Sequence, residues 1–102
     1  MTRSLIISPT AIQDLKNILN YFFERNVDAG ENFANTFERK CQKIANFPNM
    51  GRSYAELSPV LRGIPIDGYI IFYTVTEESI EIVRVVSGSR DLNNVFSESD
   101  DE

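Results

Sequence analysis

Ile80-Glu81-Ile82-Val83-Arg84-Val85-Val86-Ser87-Gly88-Ser89-Arg90-Asp91 is the stretch on which the fold turns. Its β-branched run reads as a strand with apolar side chains on both faces. Ser87-Gly88-Ser89 then turns the chain out of the sheet. Arg84 breaks the apolar run, and Arg90-Asp91 follows the exit. A charge among apolar neighbours requires a partner or a path to water. An acid of the preceding helices, Asp14 among them, is the expected partner of Arg84.

Two more strands are expected upstream. Residues 69–76 alternate Tyr69, Ile71, Tyr73 and Val75 against Ile70, Phe72, Thr74 and Thr76. Asp67-Gly68 before them is a strong two-residue hairpin signal. Residues 60–66 form the preceding strand, which Pro65 marks as an edge or as irregular. Glu77-Glu78-Ser79 connects residues 69–76 to residues 80–86. In the last strand, strict alternation sets Ile80, Ile82, Arg84 and Val86 against Glu81, Val83 and Val85.

Further upstream the period changes to helical. Ala11, Ile12, Leu15, Ile18, Leu19, Phe22 and Phe23 make one stripe, ending near Glu24. Ser8-Pro9 suits an N-cap followed by Pro, and Thr10 with Gln13 offers an alternative capping box. Asn26 to Gly30 reads as a turn. Phe33, Ala34, Phe37, Cys41, Ile44, Ala45 and Phe47 make a second stripe, which Pro48 stops. Residues 47–52 form a loop in which Gly51 is expected to take a positive φ, and residues 53–59 are irregular. Residues 3–8 make a short first strand.

The expected fold is α+β in the order β-α-α-β-β-β. A helical hairpin packs on a mainly antiparallel four-stranded sheet within a single domain, residues 1–96. Residues 90–96 suit a short helical turn, and residues 97–102 read as an acidic, disordered tail. A hairpin covers one sheet face only, so the second apolar face is expected to be covered by a protein partner.

Composition narrows the chemistry. The chain has 102 residues, no histidine and one cysteine, Cys41. A zinc site of the usual type is not expected, and the commonest general base is missing. No metal or cofactor is expected, and no intrachain disulfide is possible. The net charge is −5, but four carboxylates lie in the last six residues, leaving residues 1–96 nearly neutral. That balance argues against direct, sequence-specific nucleic acid binding. No membrane segment is visible, and cytoplasmic location is the default.

The same residues, in order and spacing, resemble the ParE branch of the RelE/ParE toxin superfamily of type II toxin–antitoxin systems. The resemblance rests on Asp14-Leu15 and Tyr21, Ala34 and Phe37, Pro48…Gly51-Arg52, Leu61-Arg62, Gly68-Tyr69…Tyr73, and the stretch from Ile80 to Asp91. It implies a toxin neutralised by a cognate antitoxin, ParD-like or similar, whose C-terminal segment wraps it. RelE-like members cleave mRNA on the ribosome with basic residues and a C-terminal tyrosine. ParE-like members lack that set and are associated with inhibiting DNA gyrase by binding. Here Ile70 stands where the RelE pattern has arginine, Phe96 where it has tyrosine, and residues 63–68 contain no lysine. The resemblance therefore implies a gyrase inhibitor without catalytic residues. The alternatives are a RelE-like ribosome-dependent mRNA endonuclease and a non-toxic antitoxin-binding remnant. Arg90, Arg62, Arg52 and Arg84 are the candidates for contact with target or antitoxin.

Overall fold

The computed structural model describes residues 3–97; the expected acidic tail lies almost wholly outside them. The elements are β1 (Ser4–Ile7), α1 (Pro9–Arg25), α2 (Val27–Asn46), a 3₁₀ turn (Pro48–Met50), β2 (Arg52–Ser53), β3 (Arg62–Ile66), β4 (Tyr69–Val75), β5 (Ser79–Ser87) and α3 (Leu92–Ser97). The sheet has five strands in the order β1-β5-β4-β3-β2. β1 runs parallel to β5, and the other pairs are antiparallel. The fold is the expected α+β arrangement with one strand added. That strand, β2, is two residues long and pairs only with Arg62 and Gly63. Its brevity hides it from any periodicity. Pro65 sits on β3 beyond the reach of β2, where a missing N–H costs no ladder bond.

α1 starts where Ser8-Pro9 predicts. The Ser8 hydroxyl accepts the Ala11 N–H at 3.1 Å and donates to the Val83 carbonyl at 3.1 Å, while Ser8 N–H reaches the Ile82 carbonyl at 2.9 Å. The cap thus also fixes the helix start to β5. The link between the helices is shorter than the expected Asn26–Gly30 turn. Asn26, in extended conformation, ends α1 through its N–H to the Phe22 carbonyl at 2.8 Å. Its side chain then caps α2 by accepting the Ala29 N–H at 3.2 Å. One residue serves both helices, so Val27 to Gly30 are already helical.

The hairpin covers the first sheet face. Phe33, Phe37, Ile44 and Ile18 pack against Ile71, Tyr73, Ile80, Ile82 and Val85. The second face corrects the expectation of an external cover. Residues 54–61 and α3 fold across it, so that Tyr54, Leu57 and Leu61 with Leu92, Val95 and Phe96 enclose Phe72, Val83 and Val86. Phe72 meets Tyr54 and Phe96 edge-on, at centroid distances of 5.0 and 4.9 Å. The exposed apolar side chains lie elsewhere: Leu5 and Ile6 on the edge strand, Ile12, Tyr21, Phe23 and Val27 on the hairpin, and Phe47, Met50 and Val60 on loops. No helix among the described residues is long and apolar enough to cross a membrane.

One loop has the expected backbone and one departs from it. Asp67 and Gly68 both take positive φ, 48° and 85°, as a tight hairpin turn between twisted strands requires. Gly51 has φ −76°, so its role is not conformational freedom. A Cβ there would stand 2.5 Å from the Tyr73 hydroxyl. That hydroxyl accepts the Gly51 N–H at 2.9 Å and donates to the Pro48 carbonyl at 2.7 Å. Arg62 adds bonds to the Gly51 and Asn49 carbonyls at 2.6 and 3.3 Å. Residues 48–51 are therefore held from beneath by two side chains of the sheet.

Tyr73→Phe removes both hydroxyl bonds and leaves the Gly51 N–H buried without its acceptor. The expected loss is about 1–3 kcal/mol of unfolding free energy, read by urea denaturation. An unchanged midpoint and slope would show that the loop is not held through this hydroxyl.

Candidate functional site

β1 is four residues long and β5 nine, so β1 runs out opposite Ile82 and leaves the later part of β5 without a neighbour on that side. The chain closes this edge with α1. Asp14, on the second turn of α1, accepts the Val85 N–H at 2.9 Å through Oδ2. The same carboxylate takes Arg84 in a two-point contact, Nε to Oδ2 at 2.8 Å and Nη2 to Oδ1 at 3.2 Å. The pair is largely shielded, with 14% of the Asp14 side chain and 24% of the Arg84 side chain exposed.

The strand geometry makes this possible. Phe72 lies opposite Arg84 and Tyr73 opposite Ile82, so Val83 is an extra residue in the β4–β5 ladder. The bulge breaks the strict alternation expected from sequence. Ile82 and Val85 share the hairpin face, while Val83 and Val86 share the other. Arg84 is thereby freed from the row of Ile80 and Ile82 and turned toward α1. The charge that interrupts the apolar run is satisfied within the fold by Asp14, one of the helix acids expected as its partner.

The four candidate arginines do not come together. Arg52 and Arg62 lie at the β2 side of the sheet, and Arg84 and Arg90 lie along β5 and its exit. Arg62 is engaged by the loop carbonyls already described. Arg52 is exposed, pairs with Glu56 at 3.3 Å and stacks over the Tyr54 ring at 4.1 Å. Such an exposed pair adds little stability. Arg90 is exposed and enters no ion pair among the described residues. Its backbone N–H closes the exit turn on the Ser87 carbonyl at 3.2 Å, and Gly88 N–H bonds the Gly68 carbonyl at 2.9 Å. Arg90 borders a depression of about 180 Å³ that it shares with Asp14, Asn17, Tyr69 and Ser87.

A larger cleft of about 370 Å³ lies on the other face. Ser8, Thr10, Ser58, Thr74 and Arg84 form its polar wall, over Leu61, Val83, Val95 and Phe96. The groups that move protons in other sites have structural surroundings here. Burial pushes the Tyr73 hydroxyl pKa above its ordinary value, against the opposing effects of the Gly51 N–H and the Arg62 charge. Cys41 is buried on the hairpin face, and burial, with the charge of Glu38 second, pushes its thiol up to about 12. Phe96 packs on Phe72 with no ionisable group to offer. No cluster of three or more His, Cys, Asp or Glu placed to hold a metal ion occurs among the described residues.

The sequence matches the family described as the ParE toxin of type II toxin–antitoxin systems, parDE, over residues 5–92. The chain belongs to the ParE toxin family. Its fold is similar to that of a solved chain from the chromosomal ParDE toxin–antitoxin system of P. aeruginosa, with a TM-score of 0.71 at 16% identity. The likeness covers 84% of this chain and 96% of that one. No curated protein sequence matches. The ParE-family match takes in the helical hairpin and, but for Ser4, all five strands, so the Asp14–Arg84 contact, the Tyr73 loop anchor and Arg90 all lie inside the family region.

Sequence reasoning missed two elements of this site. The Asp14–Val85 contact depends on a backbone N–H, which no residue type announces. The loop anchor was signalled by Pro48…Gly51-Arg52 together with Tyr73, but only the pairing of distant segments shows that the tyrosine holds the glycine.

Asp14→Ala leaves Arg84 without a counter-charge and the Val85 N–H without an acceptor. It should cost about 2–4 kcal/mol in denaturant unfolding. Asp14→Asn, which keeps one acceptor, should cost less, and Asp14→Ala combined with Arg84→Met less than the separate sum. Strict additivity would show that the two side chains are not coupled. For Cys41, alkylation by iodoacetamide at pH 8 should be far slower in the native protein than in urea, because the thiolate is the reactive form. Equal rates would mean that the thiol is not buried as described.

Proposed function

We propose that this ParE-family toxin acts on DNA gyrase, inhibiting it by binding and without turning over a substrate of its own. The observation that carries the reading is the commitment of its polar side chains to the fold. Ribonuclease chemistry needs a group to activate the 2′-hydroxyl and another to stabilise the developing charge. Arginines suit the second task only. Of the four candidates, Arg84 and Arg62 are held by Asp14 and by loop carbonyls. The Tyr73 phenol on β4 is likewise a loop anchor with its pKa raised. Ile70 and Phe96 replace the arginine and tyrosine of the RelE-like pattern, and Phe96 is built into the second core.

The cognate antitoxin is the second partner in this reading. Ile12, Tyr21, Phe23 and Val27 along the hairpin, with Leu5 and Ile6 on the edge strand, offer large exposed apolar side chains. They suit an amphipathic segment laid across the helices, a mode in which the apolar anchors supply the affinity. Arg90 is the candidate contact for target or antitoxin, because it is exposed at the rim of the depression beside Tyr69 and Asp14. The cell interior, where gyrase and an antitoxin would be met, is the proposed site of action.

Purified protein should block supercoiling of relaxed plasmid by gyrase, and expression without antitoxin should arrest growth with DNA damage, while mRNA stays intact. Arg90→Ala should weaken inhibition by about tenfold, the size expected for one exposed charge at an interface centre, with an unchanged melting temperature. Ribosome-dependent mRNA cleavage would overturn the gyrase reading. Full potency of a folded Arg90→Ala would remove that residue from it.

A further inference from the structure

Charge and apolar exposure coincide at the C-terminal end of α2 and in the turn that follows it. Residues 39–62 hold Arg39, Lys40, Lys43, Arg52 and Arg62, half of the ten cations of the chain, against the single carboxylate of Glu56. The whole chain is net negative at −5, so this segment stands out against it. Arg39, Lys43 and Phe47 follow one another at a spacing of four residues down an exposed stripe at the end of α2. Phe47 ends that helix through its N–H to the Lys43 carbonyl at 2.8 Å, and Met50 N–H returns to the Phe47 carbonyl at 3.0 Å. One tight turn therefore carries both apolar side chains beside the basic stripe. Phe47 is 67% exposed and Met50 48%.

This display is rigid by construction. The backbone between Phe47 and Arg52 receives bonds from the Tyr73 hydroxyl to Pro48 and Gly51 and from Arg62 to Asn49 and Gly51. Gly51 has no room for a side chain over Tyr73. A loop anchored this firmly could have turned its aromatic inward, yet it holds phenylalanine and methionine in water. A pre-organised apolar pair loses little entropy when it enters a partner, and large side chains of this kind are the usual interface anchors.

We propose that the Phe47–Met50 turn, with Arg39 and Lys43 behind it, is the surface by which this toxin docks on a protein target, in an apolar pocket rimmed by carboxylates. The partner is a protein rather than a nucleic acid because most of the cations are already engaged. Lys40 bonds the Pro65 carbonyl, Arg62 the loop carbonyls and Arg52 the Glu56 carboxylate. They maintain a positive field that favours an acidic surface but leave few heads to follow a phosphate backbone. The proposal rests on the reading of the chain as a toxin that acts by binding, and adds a contact face to the one marked by Arg90.

Two variants test it: Phe47→Ser with Met50→Ser, and Arg39→Glu with Lys43→Glu. All four positions are exposed, so circular dichroism melting should match wild type. Each is expressed in cells without antitoxin and scored for growth arrest, then titrated against purified gyrase in the supercoiling reaction. Both should lose growth arrest and inhibit gyrase at least about tenfold more weakly, and wild-type inhibition should fall with added salt. Folded variants as toxic and as inhibitory as wild type would overturn the surface. Wild type that arrests growth without touching gyrase, with both variants inert in cells, would overturn the gyrase reading and keep the surface. A wild type that never arrests growth would overturn both. Binding of a plain duplex oligonucleotide by wild type and not by the Phe47→Ser, Met50→Ser variant would replace the protein partner with nucleic acid and overturn the proposal.

Discussion

The Asp14 carboxylate settles how helix and sheet meet. A nine-residue β5 beside a four-residue β1 would leave backbone donors and acceptors at an unpaired edge. An unpaired edge in a small protein invites other chains. Ser8 and Asp14, six residues apart on the entry to α1, take the Val83 carbonyl and the Val85 N–H in place of a longer β1. The bulge at Val83 then lets Arg84 leave the apolar row and meet the same carboxylate. Three bonds converge on one side chain, and the direction of α1 across the sheet follows from them. In that arrangement Ile18 of α1 and Phe33 of α2 pack in one core with Ile71 and Val85.

Much of this was legible because period carries burial. The alternation of β4 and most of each helical stripe place their residues on the faces where they are found. Ile12, Phe23 and Phe47, read into the stripes, are exposed, and Phe47 lies just past the end of α2. The readings that failed did so where period fails. A bulge inserts one residue, so strict alternation assigned Val85 and Val86 to the wrong sides. Asn26 caps two helices at once, which a search for a multi-residue turn overlooks. Residues 54–61 bring Tyr54, Leu57 and Leu61 to the second face from an irregular segment with no period to read. The cover from α3 was readable, since Leu92, Val95 and Phe96 repeat at helical spacing. Its meaning was missed because six residues cannot form a helix alone and owe their order to the sheet beneath.

The arginines show a similar division. A partner for Arg84 could be expected, because a buried charge requires one and Asp14 stands on the neighbouring helix. Arg62 turned out to bind carbonyls, which every residue carries, so nothing in the sequence distinguished it from Arg52. Ion pairs are written in residue types; side chain to backbone bonds are not. This is why Arg90, with an exposed guanidinium at the strand exit, remained a candidate contact only after the structure had accounted for the others.

A shared fold can serve catalysis or binding, and fold alone does not decide between them. The two demand different things of the same scaffold. A nuclease needs a side chain whose pKa is tuned toward the working pH and whose proton is free to move. Here Tyr73 is moved the other way, its phenol less acidic than usual and bonded on both sides. What it gives instead is a fixed loop. A binding inhibitor has no use for a mobile proton, but it does need surfaces that stay in place while a partner closes on them. The chemistry that would make Tyr73 a poor acid or base is the same chemistry that makes it a good anchor, and the loop it anchors presents Phe47 and Met50 to solvent. On that physical ground Tyr73 suits a structural part better than a catalytic one.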